Sequence, residues 1–415
     1  MSTQLRDPLP DQDDRDCIRH ALDETIVVEA AAGTGKTTAL VSRLIATIAT
    51  GRTRIDQIVA VTFTEKAAGE LKLRLRDDLE RAYAAAADPD TAARLAAALA
   101  HLEEAHISTI HGFCADLLRE RPIEAGVDPR FEVLMEPSAA HLLDQACDAW
   151  LQASLETPGE GLRRLLRRRG RQVDDAGPTG ALRRAVAALA EWRDFPAPWR
   201  RDPFDRAAAL DEVADALQAF DAASAHPDSP RDNLYVDTES LRRFIRQHPL
   251  TRADRDDDAL EAALVELSRD DGLLRARVGS GRDYGAGVSR ADVRAAHDLL
   301  RAAVDDFVTR AGADLAACLH RELQPCLAGY EVLKRSRGAL DFVDLLVRTR
   351  DLLVRDGAVR ASFQQRFARI FVDEFQDTDP MQAEILLLLA ADDPDVADWR
   401  QVRPVPGKMF IVGDP

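Results

Sequence analysis

The chain has 415 residues, a formal charge of −17, and a composition that is 46% hydrophobic, 31% charged and 5% aromatic. Such a balance excludes a disordered chain and fits a folded protein of two or three domains. The acidity argues against a protein that coats nucleic acid through its overall charge, but not against a local phosphate groove.

No apolar stretch approaches the ~20 residues of a membrane span, and MSTQLRDPLPDQDDRD lacks the basic-then-apolar plan of a secretory leader. A cytoplasmic protein with no membrane partner is therefore expected. The five cysteines, Cys17, Cys114, Cys147, Cys318 and Cys326, form no C-x-x-C pair and no zinc-spaced cluster. They are read as reduced thiols.

Along the chain, TIVVEA (25–30) is a short apolar strand followed by a glycine-rich turn and a helix beginning near Lys36. QIVAVTFT (57–64) is a second strand leading into a helix near Glu65, and HIST (106–109) is a short third. Strands alternating with helices imply a parallel sheet covered on both faces. From about 135 to 335 the sequence turns Ala-, Leu- and Arg-rich, with helical periodicity, exposed loops and no good strand. Strands return as ARIFVDE (368–374) and KMFIVGD (408–414), each an apolar run ending in acid. The simplest organisation is one α/β domain interrupted by a helical one: residues 1–125 and 336–415 form the first, and 126–335 the insertion.

EAAAGTGKTT, between strand and helix, is a phosphate-loop sequence in which Ala30 stands where the usual pattern has its first glycine. Ala30, Ala31, Ala32, Gly33, Thr34, Gly35 and Thr38 supply the loop and the first helical turn. Gly33 and Gly35 let the backbone curl so that its N–H groups face a phosphate, aided by the positive end of the helix. Lys36 is placed to contact the β- and γ-phosphates of ATP, and Thr37 to ligate Mg²⁺. In RIFVDEFQDT, Asp373 at the strand end is a second Mg²⁺ ligand and Glu374 a base for the attacking water. That pairing favours a hydrolase over a kinase.

Taken together, these motifs resemble superfamily 1 helicases of the UvrD/RecB/AddA group, over residues 9–120 and 330–415. LPDQ resembles the adenine-reading motif and implicates Gln12; AAAGTGKT is similar to the RecB form of the phosphate loop. TFTEKAAGELKLR and STIHGFC look like the motifs that meet single-stranded DNA, ALDFVDLL like the re-entry into the motor domain, and DEFQDT like the acidic motif. IVGDP opens the motif after it. The resemblance implies a RecA-like phosphate-loop fold, with a second motor domain supplying further arginines. It also implies an ATP-dependent 3′-to-5′ DNA helicase, or a helicase–nuclease subunit working with other subunits in double-strand break repair and recombination.

The resemblance places Thr62, Phe63, Thr64, Lys66, Arg74 and His111 on the DNA side and makes Gln376 a relay of the γ-phosphate state. Read from residues alone, Phe63 is a core ring under the sheet, His111 a helix-start histidine and Gln376 a capping or surface glutamine. Lys66 and Arg74, eight residues apart, are expected along one helix stripe. GLRRLLRRRGR (161–171) is either a phosphate-contacting patch or a solvated face balanced by acids such as Asp174 and Asp175. The chain stops at Pro415 within a motif, so half of an ATPase site, incapable of unwinding by itself, is expected. The competing expectations are a non-catalytic nucleotide-binding module that recruits partners and an RNA-directed motor.

Overall fold

The apolar runs expected to be strands assemble into one five-stranded, all-parallel sheet. A computed structural model of the chain describes every residue except 1–10, 32, 169–176, 196–199, 275, 277–282 and 286. The strands are β1 (Ile26–Glu29), β2 (Ile58–Thr62), β3 (His106–Thr109), β4 (Arg369–Val372) and β5 (Met409–Gly413), in the spatial order β1-β5-β4-β2-β3. Val59 pairs with both His106 and Ile370, and Val27 with Ile411. The two late strands therefore sit in the middle, between β1 and β2.

Alternation along each strand divides the core between the two faces. Val59, Val61, Ile370, Val372 and Met409 pack on one side under α4 (Ile110–Glu120), α5 (Phe342–Arg355) and α6 (Pro380–Ala390). Ile58, Ala60, Phe371, Phe410 and Val412 pack on the other, under α2 (Lys36–Ala49) and α3 (Glu65–Ala85). A short helix, α1 (Gln12–His20), precedes β1 and buries Ile18 against the second face. At the foot of the sheet Lys408 is buried just before β5, its ammonium donating to the Gln364 carbonyl at 2.7 Å.

The described chain divides into two compact units: residues 1–136 with 335–415, and residues 137–334. The boundary expected at 126 thus moves eleven residues along, because Phe131 joins the α/β core and Glu132–Val133 pairs in parallel with Ala339–Leu340. The second unit is helical around the long helix Arg290–Glu322 and its neighbour Arg206–Ser224, which share one apolar core. The expectation of no strand in this region needs one correction. Asp283–Gly285 and Val288–Ser289 form a small antiparallel pair, too short and glycine-rich to show in a periodicity.

Inside this unit the described arginines of the Arg-rich segment are committed to carboxylates. Arg164 is fully buried and bonds Glu261 at 3.0 Å, Asp314 at 2.6 Å and the Ala311 carbonyl at 3.1 Å. Arg163 reaches Asp258 at 2.6 Å, Arg168 reaches Glu261 at 2.8 Å, and Arg167 pairs with Asp256 at 3.3 Å. Among the described residues the balancing acids come from distant parts of the unit; Asp174, Asp175, Arg169 and Arg171 lie outside the described residues. Glu160, Asp314 and Cys318 converge as a metal site would, but the Arg164 and Arg201 guanidiniums already neutralise the two carboxylates. No helix among the described residues is long and apolar enough to cross a membrane.

Candidate functional site

Because all five strands are parallel, their carboxyl ends open along one edge of the sheet. That edge gathers the described glycine loop, Lys36, Asp373, Glu374, Gln376 and Phe63. After β1 the chain bends through Gly33 (φ 81°) and Gly35 (φ 98°) into α2. Both glycines are in the left-handed region, which a side chain would strain. Thr34 closes the bend through its hydroxyl, which donates to the Ala31 carbonyl at 2.7 Å, and the Ala30 N–H continues the ladder to Gly413 at 3.1 Å. Thr37 is half-buried in the first turn of α2. Ala32 lies outside the described residues.

Lys36 turns back beneath this loop and is buried, its ammonium paired with Asp414 beyond β5 and lying 3.7 Å from Glu374. Glu374 is the one non-glycine residue with a positive φ (55°) among those described. An L-residue in that conformation costs roughly 1–2 kcal/mol, a strain that favours a positional role for its side chain. Gln376 donates to the Glu374 carboxylate at 2.7 Å and accepts from the Asp414 N–H at 2.8 Å. The amide thus ties the end of β4 to the end of β5. It is not a helix cap, since Asp379 caps α6. Asp373 is half-buried, and its pKa is raised first by that burial and then by the adjacent Glu374.

Gln12 and Arg74 are held by neighbours. The Gln12 amide donates to Asp16 at 3.0 Å. Arg74 donates to the Thr38 hydroxyl in the first turn of α2, so it faces the phosphate loop rather than sharing a stripe with Lys66, which is exposed and 3.7 Å from Glu70. The geometry explains the difference, because eight residues at about 100° each leave two side chains roughly 80° apart.

On the other side of the acids, Phe63 is 62% exposed just past β2, which excludes the core position. Thr62 is buried and donates to the Thr64 carbonyl at 3.1 Å, while Thr64 caps α3 by accepting from the Ala67 N–H at 3.1 Å. His111 is half-buried at the start of α4 and meets Phe342 edge-on with ring centroids 5.2 Å apart. Burial lowers its pKa, so at neutral pH it offers a hydrogen bond rather than a charge. Phe63, His111, Asp373, Glu374 and Gln382 line a single cavity of about 110 Å³. That cavity joins the exposed ring to the acid pair.

Three features escape a reading of the sequence. Asp414 is legible as an acid ending a strand, but not as the partner of Lys36. Arg15, which donates to the Thr34 carbonyl at 3.0 Å, carries no sequence signal, and Thr109, though inside STIHGFC, is not legible there as the donor to Glu65 at 2.6 Å that links α4 to α3.

A glycine loop over a buried lysine, facing a strained acid pair at the carboxyl edge of a parallel sheet, is the arrangement from which the family follows. The chain belongs to the UvrD/REP helicase family, whose N-terminal domain matches residues 11–415. Among individual proteins it is 27% identical to an ATP-dependent helicase/nuclease subunit of Pediococcus pentosaceus, over 94% of this chain and 33% of that protein. The ATP-dependent helicase/nuclease subunit of the same type from Moorella thermoacetica is 29% identical over 94% and 30% respectively. The exonuclease/helicase subunit RexA of Lactococcus lactis subsp. cremoris is 24% identical over 89% and 34%. The chain therefore spans about a third of the length of these relatives.

Proposed function

We propose that this chain is the nucleotide-binding part of an ATP-driven, 3′-to-5′ DNA-translocating motor with a RecA-like phosphate-loop domain, and that the whole protein is a helicase–nuclease subunit working with partner subunits in double-strand break repair and recombination. The observation that carries the reading is the convergence of Lys36, Glu374 and Gln376 at one sheet edge, with exposed Phe63 across a shared cavity from the acids. Hydrolytic and DNA-side groups so placed suit a motor in which one site must sense the other.

In this reading the N–H groups of Gly33, Gly35 and the first turn of α2, together with the Lys36 ammonium, bind the ATP phosphates, with Gln12 and Arg74 at the margins. Thr37 and Asp373 hold Mg²⁺. Asp373 fits that role, since burial and the neighbouring Glu374 both disfavour its charge and a cation offsets them. When bound, Mg²⁺ neutralises charge on the phosphates. Glu374 accepts the proton of the attacking water as its oxygen bonds the γ-phosphorus and the bond from that phosphorus to the ADP oxygen breaks. Gln376 orients the Glu374 carboxylate through the bond described above and couples it to the end of β5. Phe63 stacks on a base, while Thr64, Lys66 and His111 border the single strand and buried Thr62 holds the turn beneath them through its bond to Thr64.

The test is hydrolysis of Mg-ATP by the full-length protein with and without single-stranded DNA. Strong stimulation by DNA over RNA, with Glu374→Gln sparing ATP binding but stopping turnover, is expected. Binding without hydrolysis in the unaltered protein would instead favour a recruiting module, and equal or better stimulation by RNA an RNA-directed motor. Strand separation by the 415-residue chain would refute the need for a second motor domain.

A further inference from the structure

We propose that Arg15, on α1 and outside the phosphate loop, is a positioning residue of the nucleotide site, holding the Thr34–Gly35 peptide so that the Gly35 N–H faces the polyphosphate. The proposal rests on the nucleotide reading above and adds to it a residue that the motifs do not contain. One terminal nitrogen of Arg15 donates to the Thr34 carbonyl at 3.0 Å, and the other lies 3.7 Å from where a Cβ on Gly35 would stand. Its Nε donates to an Asp11 carboxylate oxygen at 3.0 Å, and the terminal nitrogen that holds Thr34 lies 2.7 Å from the same oxygen, which fixes the plane of the guanidinium.

The consequence follows from peptide geometry. In a planar trans peptide the C=O and the following N–H point in opposite directions. Holding the Thr34 carbonyl from the α1 side therefore aims the Gly35 N–H the other way. The loop has reason to need such a grip. Gly33 and Gly35 have φ of 81° and 98° and no Cβ, so this stretch of backbone has little steric resistance to rotating its peptides. A Cβ at Gly33 would meet nothing within 4 Å, so packing does not hold the loop there either. The first bond entering α2 runs from the Ala39 N–H to the Gly35 carbonyl at 2.9 Å, one residue further on. The Thr34 carbonyl is thus left to Arg15.

The residue type matters. A guanidinium presents several N–H donors in a rigid plane, so it holds the Thr34 carbonyl and Asp11 together. An ammonium in its place keeps the charge but lacks the second N–H bond to Asp11 that fixes where the donor to Thr34 stands. The cation also lies against the loop of a chain whose net charge is −17, where it opposes the repulsion of a polyphosphate.

The experiment titrates Mg-ADP and Mg-ATP into the 415-residue chain by calorimetry, comparing the unaltered protein with Arg15→Ala, Arg15→Lys and Lys36→Ala. The Gly35 amide is followed in parallel by NMR on glycine-labelled protein. We expect Arg15→Ala to weaken both nucleotides about tenfold, Arg15→Lys to recover part of the loss, and the nucleotide-free melting midpoint to stay unchanged. The nucleotide-induced shift of the Gly35 amide should shrink in step with affinity. Binding by Arg15→Ala within about twofold of the unaltered protein, while Lys36→Ala fails to bind, would overturn the role of Arg15 and leave the nucleotide site standing. A loss that Arg15→Lys does not recover, accompanied by a lower nucleotide-free midpoint, would make Arg15 merely structural. No binding by the unaltered protein would overturn the nucleotide reading and this proposal together.

Discussion

Replacing Lys408 by methionine should stabilise the protein near neutral pH and flatten its response to alkali. Lys408 is 4% exposed. Burial, and then the nearby Arg369 cation, lower its pKa from 10.5 to about 8. A displacement of that size sets about 3 kcal/mol against the charged form. When the folded pKa of a lysine lies below its unfolded value, the penalty is complete at pH below both. Between the two values the unfolded chain binds more protons, so stability rises with pH and the penalty is gone above the unfolded value. The unaltered protein should therefore gain up to about 3 kcal/mol between about pH 8 and about pH 10.5, a rise that Lys408→Met lacks. The variant also loses the bond to the Gln364 carbonyl, worth about 1 kcal/mol, so its net gain at pH 7 is about 2 kcal/mol. Urea unfolding of both proteins at about pH 7 and about pH 9.5 reads the difference directly. Parallel pH profiles, or a less stable variant at neutral pH, would refute the reasoning.

Three further outcomes are expected. Asp373, with its raised pKa, should make Mg-nucleotide affinity decline on acidification earlier than an ordinary carboxylate would, and Asp373→Asn should remove that dependence; identical pH profiles in calorimetry would exclude Asp373 as the ligand. Phe63→Ala should weaken single-stranded DNA binding about tenfold with little change between sequences, while equal anisotropy curves would take the ring out of the DNA path. Arg164→Met leaves Asp314 and Glu261 with one buried cation fewer and should cost about 3–5 kcal/mol in urea unfolding; a cost near zero would mean that Arg201 on Asp314, with Arg168 and Arg206 on Glu261 (Arg206 at 2.7 Å), suffice.

Four of the five strands are legible because each is a short apolar run closed by a polar residue, a local pattern that needs no partner to be seen. QIVAVTFT and KMFIVGD end within about two residues of where β2 and β5 end, the usual precision for such boundaries. Loop and acid pair are legible for a related reason, since their chemistry is written in consecutive residues. What stays hidden depends on which strands become neighbours. Asp414 meets Lys36 only because β5 pairs with β1, a fact that no window of sequence contains. Arg74 sits on a different side of α3 from the one its spacing suggests, because helix rotation also decides which element a side chain faces. For the Arg-rich helix the solvated alternative is nearer, though the acids that meet Arg164 lie 97 and 150 residues away and the face is partly buried rather than wet.

The strand order has a bearing on how this protein is made. β1, β2 and β3 leave the ribosome first, yet β1 touches neither of the others, because β4 and β5 must slot between them. Roughly 260 residues separate β3 from β4, which at ordinary rates of synthesis amounts to on the order of ten to fifty seconds. Throughout that interval β2 presents an unpaired apolar edge that in the finished sheet is wholly buried. The intervening helical unit, whose own core closes within its own segment, can form meanwhile. The nascent α/β domain is left as the stage at which chaperone protection, or its absence, decides the yield of folded protein.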